Sequence, residues 1–154
     1  ESYQHSLTVR LRSEPVFEVQ FVSLAGLAAL KIFAWNDDRP RRSRDAQDLA
    51  LLMRKYVDAG NMERFYAEES DLAGQEQFDY EIGSARLLGR DIATMFRRET
   101  SQAILEILER ETGEQHRYRL VEDMFSGDDF EEKLQYLEAL KAGIIDRLGP
   151  SEVT

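Results

Sequence analysis

The segment "LAGLAALKIFAW", residues 24–35, is apolar on nearly every side of a helix. A helix with no polar stripe to turn toward water has to be enclosed by other elements, so the rest of the chain must wrap this one. Ser23 stands directly before it, a residue type whose hydroxyl caps free N–H groups of a first helical turn. Lys31 breaks the apolar pattern. An unpaired ammonium is costly to bury. Lys31 therefore reads in one of two ways. Either it projects into a cleft to hold a triphosphate or orient a carboxylate, or it snorkels to the surface or pairs with Asp45 or Asp48.

With 154 residues the chain can build one sizeable core around such a helix. Upstream, Leu7, Val9 and Leu11 alternate with Thr8 and Arg10, and "VFEVQFV" (16–22) alternates again after a turn at Pro15. Both stretches have the period of a half-buried strand. A pair of strands is marginal alone, so they read as the edge of a larger sheet. Downstream, residues 36–43 read as a polar loop broken by Pro40, and Asp45 as the start of a helix that Gly60 ends. A short helix follows from Asn61 to about Glu69, then a loop over 70–77. From Phe78, the residues Ile82, Ala85, Leu88, Gly89, Ile92, Met95 and Phe96 recur at helical spacing. A further helix starts at Thr100 or Ser101 and closes at Gly113; residues 114–127 read as irregular. The last helix runs from Asp128 to the stop at Gly149-Pro150. The expected class is α+β, mainly α: two N-terminal strands, then five or six helices.

Charge narrows the function. Residues 1–58 carry 9 Lys/Arg against 8 Asp/Glu, whereas residues 59–154 carry 11 against 22. The acidic half argues against wrapping nucleic acid over the whole surface, because phosphate neutralisation needs clustered cations. One such cluster exists, with Arg39, Arg41, Arg42 and Arg44 within six residues. An anionic ligand should dock there, and otherwise this is a solvated basic loop. No run approaches 18 apolar residues, so no membrane span is expected. No signal peptide is visible at the start, and the absence of cysteine excludes a disulfide partner and thiol chemistry; both point to the cytoplasm.

Asp45 and Asp48, three apart, share one helix face. They could position a lysine or help bind a divalent cation, or they could simply favour a helix start. Asp79 and Glu81 in "DYE" open a helical pattern and read as helix-start chemistry rather than a metal pair. Gly83 and Gly89 do not match a phosphate loop and suit close helix packing. Arg86, Arg90 and Asp91 are placed for a surface network. His5 and His116 lie far apart, so neither a zinc site nor a Ser/His/Asp triad is supported.

Taken together, the Lys31 helix, the charged segment after it and Arg44-Asp45-x-x-Asp48-Leu49 resemble the later half of bacterial AbiEii-type predicted nucleotidyltransferases, of the polymerase-β-like superfamily. "FDYEIGSARLLGRDIA" (78–93) is similar to a downstream helix of that group. The resemblance implies that residues 1–60 form part of a nucleotidyltransferase-like domain, its two strands edging the sheet, with residues 61–154 as a helical C-terminal region. It implies transfer of a nucleotide from an NTP to RNA or protein, with Mg²⁺ held by carboxylates, and a toxin–antitoxin or phage-defence setting with a cognate antitoxin as partner. Lys31 and Asp45 would be catalytic, Arg41, Arg42 and Arg44 would bind substrate, and Asp48 would support them. The family's Gly-Ser turn and Asp-x-Asp metal motif do not occur in the sequence, which begins at Glu1 rather than Met. The chain is thus expected to be a C-terminal portion, inactive alone and holding no Mg²⁺ or NTP by itself. The alternative is a non-catalytic helical module that offers its acidic face to a basic protein.

Overall fold

The computed structural model describes residues 7–13, 16–21, 23–73, 79–113, 118–124 and 129–149. The packed body is helical throughout, and this overturns the α+β reading. Every described core residue, from Ala25 to Ile144, lies in one cluster carried by helices and the segments joining them. N-terminal to it, β1 (Leu7–Ser13) and β2 (Val16–Phe21) pair antiparallel with each other alone. No larger sheet exists among the described residues for them to edge. The turn expected at Pro15 lies outside the described residues, as do Asp128 and Pro150.

Eight helices are described rather than five or six: α1 (Leu24–Asp37), α2 (Arg39–Lys55), α3 (Met62–Tyr66), α4 (Ser70–Ala73), α5 (Tyr80–Met95), α6 (Arg98–Thr112), α7 (Arg119–Met124) and α8 (Phe130–Leu148). Two of the additions, α4 and α7, occupy stretches whose local sequence suggests loop. Leu120, Val121 and Met124 of α7 are buried, so tertiary packing rather than propensity holds that short turn helical. The rest of the first expected loop and both ends of the second fall in residues 74–78, 114–117 and 125–128, outside the described residues.

Helix α1 is enclosed as its composition demands, though not on every side. Ala25, Ala28, Ala29, Ile32 and Trp35 are buried, whereas Leu30 is exposed. Ser23 caps it, accepting from the Gly26 N–H at 3.2 Å. Asp38 alone separates α1 from α2: its N–H donates to the Ala34 carbonyl, and its own carbonyl accepts from Arg41 and Arg42. The chain thereby doubles back, and α2 lies along α1.

Among the described residues, helices α5 and α8 make the most extensive helix–helix contact. Gly89 and Gly143 account for it. A Cβ on Gly89 would sit 2.2 Å from the Leu140 carbonyl oxygen, and one on Gly143 would sit 2.0 Å from that of Arg86. Only hydrogen fits at either point. Beside them, Arg86 donates to Asp146 at 2.8 Å, and the buried Arg90 donates to Asp146, Asp71 and Glu69. Arg147 reaches Glu69 at 2.8 Å from the other side. This is no surface network, since Arg90 is 5% exposed. It ties α4 and the segment before it to the α5–α8 pair. Asp91 turns elsewhere, accepting from Tyr56 and from both terminal nitrogens of Arg64.

Gly89→Ala and Gly143→Ala are each expected to cost about 1–3 kcal/mol, because backbone must move to admit one methyl. Urea unfolding midpoints check this: unchanged midpoints would mean that the two helices can separate without loss.

Candidate functional site

Helices α1 and α2 bring the predicted residues together. Asp38 places the two helices side by side, so that Lys31, on α1, faces the early turns of α2. Lys31 Nζ donates to Asp45 Oδ1 at 2.8 Å and to Asp48 Oδ2 at 3.0 Å. Of the two local readings of Lys31, the ion pair is therefore realised, and with both aspartates. An ammonium has three donors, and two are used here. The side chain keeps 25% of its surface exposed, so the third donor can reach a ligand.

The aspartates differ. Asp48 is half-exposed, whereas Asp45 is buried and its Oδ2 has no hydrogen-bond partner among the described residues. The Arg42 guanidinium lies 3.8 Å from that oxygen. Neither aspartate starts the helix. Both lie inside α2, which begins at Arg39 with Pro40 in its first turn, where a missing N–H costs nothing. The arginines expected in a loop are therefore helical. The helix bends at Arg42 (φ −118°, ψ 19°), which lets the basic first turn leave the axis set by the later, buried turns.

Arg41, Arg42 and Arg44 are exposed. Arg41 pairs loosely with Asp38 at 3.8 Å, and Arg44 makes no ion pair with a described residue. Arg39 is committed elsewhere: its Nε donates to Asp123 Oδ2 at 2.9 Å and its terminal nitrogen to Oδ1 at 3.1 Å. Trp35 Nε1 donates to the same carboxylate at 2.7 Å. Asp123, on α7, thus clamps the end of α1 and the start of α2 from one point. Nothing in its local sequence marks that role, since its partners lie more than eighty residues away. Asp79, by contrast, behaves as its position suggests, accepting from the Glu81 and Ile82 N–H groups as an N-cap.

Mg²⁺, which the resemblance implies, does not fit the described residues. No group of three or more carboxylate or imidazole side chains among them is placed to hold a metal ion. The Asp45–Asp48 pair is already bridged by an ammonium, which would repel a second cation. What the arrangement can do is hold a lysine charged and aimed, beside a row of exposed guanidinium groups.

Hydrogen bonds to Asp45 and then Asp48 hold the Lys31 ammonium above its ordinary value of 10.5. A folded-state value above the unfolded one stabilises the fold fully below pH 10.5, and the contribution is lost as pH rises through the folded-state value. The melting temperature of Lys31→Met should thus fall below that of the parent at pH 7–9, and the gap should close on further alkalinisation. A gap independent of pH would show that the lysine acts through packing alone.

No helix among the described residues is long and apolar enough to cross a membrane. No curated protein and no solved structure matches the chain. Its sequence does match, over residues 2–140, the family described as "Nucleotidyl transferase AbiEii toxin, Type IV TA system". That span contains both motif helices and the whole Lys31–Asp45–Asp48 triad. The chain belongs to the AbiEii nucleotidyltransferase toxin family.

Proposed function

We propose that this protein transfers a nucleotide from an NTP to an RNA or protein acceptor, and that α1 and α2 carry its phosphate-facing side. The observation that supports this best is the Lys31 ammonium, fixed by Asp45 and Asp48 with one donor left over. A lysine held in this way is a preorganised point charge, worth more to a developing phosphate charge than one that must first be oriented. Lys31 contacts the phosphates. Asp45 orients it from within the core, and Asp48 supports it from the solvent side. Arg41, Arg42 and Arg44 add positive potential where the triphosphate arrives, with guanidinium geometry that suits phosphate oxygens.

In the transfer itself, an acceptor hydroxyl oxygen forms a bond to the α-phosphorus. The bond to pyrophosphate breaks with its electrons, and the acceptor proton leaves to a base. The described residues supply the charge for the departing phosphates. The family's toxin–antitoxin designation supports a cognate antitoxin as the functional counterpart.

In the full-length protein, Lys31→Ala and Asp45→Ala should each lower the transfer of labelled nucleotide by about tenfold or more. Arg44→Gln should chiefly raise the KM for NTP. Melting temperatures of the variants must match the parent for the comparison to count; activity unchanged in both Lys31→Ala and Asp45→Ala would remove the pair from the site.

A further inference from the structure

Away from the Asp45 face of α2, residues Gln47, Ala50, Leu51 and Arg54 line one wall of a cleft of about 320 Å³, which α7 and the start of α8 close. Two cations meet in it. Lys133 is nine-tenths buried and makes no hydrogen bond among the described residues; its ammonium sits 3.5 Å from Asp129, itself in the cleft wall, 3.5 Å from Glu132 and 5.2 Å from the centre of the Tyr136 ring, a longer set of contacts than a saturated ammonium makes. Arg54 approaches Glu81 only at 4.0 Å, and its Nε is buried with no hydrogen-bond partner among the described residues. Leaving a buried donor without a partner is costly, and a chain of net charge −10 has many carboxylates that could have supplied a closer one. Leu51, 54% exposed, and Met124 give the otherwise polar cleft an apolar patch.

We infer that this cleft binds a small organic anion, its carboxylate or phosphate oxygens on the exposed end of the Arg54 guanidinium and on Lys133 Nζ and its apolar or planar body against Leu51 and Met124. An anionic oxygen at that point satisfies the two loosely held cations together, with the short charge-assisted bonds that their present partners do not provide. Covering Leu51 adds an apolar contact that inorganic anions cannot make. The site is independent of the nucleotide-facing residues, because Asp45 and Arg54 project from opposite sides of α2.

Titration of the full chain with phenyl phosphate, benzoate and orthophosphate, followed by two-dimensional NMR, tests this. Saturable shifts at Gln47 and Leu51 are expected with at least one of the aromatic anions, at lower concentration than with orthophosphate. The two aromatic anions distinguish a phosphate from a carboxylate ligand. Arg54→Gln should weaken binding about tenfold. Leu51→Glu, an exposed substitution that leaves the core intact, should weaken it by like-charge repulsion even if Lys133→Met fails to fold. Arg119→Gln removes an exposed cation elsewhere and should change nothing. The inference is overturned if no probe saturates, if orthophosphate binds as well as both aromatic anions, or if Arg119→Gln weakens binding as much as Arg54→Gln.

Discussion

Two glycines facing across α5 and α8 set the distance on which the rest of the packing depends. Where Gly89 meets the Leu140 carbonyl and Gly143 meets that of Arg86, the helices touch backbone to backbone. Long side chains on either flank are then short of room to extend and turn toward one another instead. Asp146, three residues beyond Gly143, is thereby within reach of both Arg86 and Arg90. Arg90 has no exposed route to water, so its remaining donors draw in Glu69 and Asp71, and with them the short α4 segment. The burial of one guanidinium is tolerable only because three carboxylates and good geometry offset its desolvation.

The candidate site rests on a different device. Helices α1 and α2 are joined by the single residue Asp38, and contacts farther along hold the side-by-side placement that it sets up. Asp123 provides one such contact, accepting from Trp35 and Arg39 together. The Lys31 bridge provides another. The result is a pair of helices whose inner seam is apolar, crossed by one ammonium and two carboxylates, and whose leading turn is basic. In a chain whose residues 59–154 carry twice as many acidic as basic residues, this is the place where an anion meets least repulsion.

Much of this was legible before folding was considered. The stripe of Ile82, Leu88 and Ile92 marks α5 as core-facing, and Ser23, Asp79 and Gly149 mark helix ends. Lys31 stands out because nothing else in residues 24–35 is charged, and Asp45 and Asp48 are a nearby carboxylate pair sharing one helix face. The misreadings have physical causes. Four arginines and a proline look like a loop, yet proline is tolerated in a first helical turn, and packing on α1 and α7 holds the remainder. Alternation at residues 7–11 and 16–22 suggests a sheet edge, but alternation cannot report whether other strands lie alongside. Asp123 and Lys133 carry no local signal at all, because what distinguishes them is the neighbours that folding supplies.

The sequence by itself determined that α1 would be enclosed, that its lysine would need a counter-charge or a ligand, and which family the chain belongs to. The first two follow from periodicity and from the cost of burying an ammonium, which are local along the chain; the family follows from the match over residues 2–140. Only the tertiary structure decided that both aspartates hold Lys31, that Arg39 is spent on Asp123 while Arg44 is left facing solvent, and that Arg54 and Lys133 share a cleft. Such outcomes depend on which distant groups arrive within about 3 Å of one another, the range over which a hydrogen bond acts. That distance is set by helix packing and not by position in the chain.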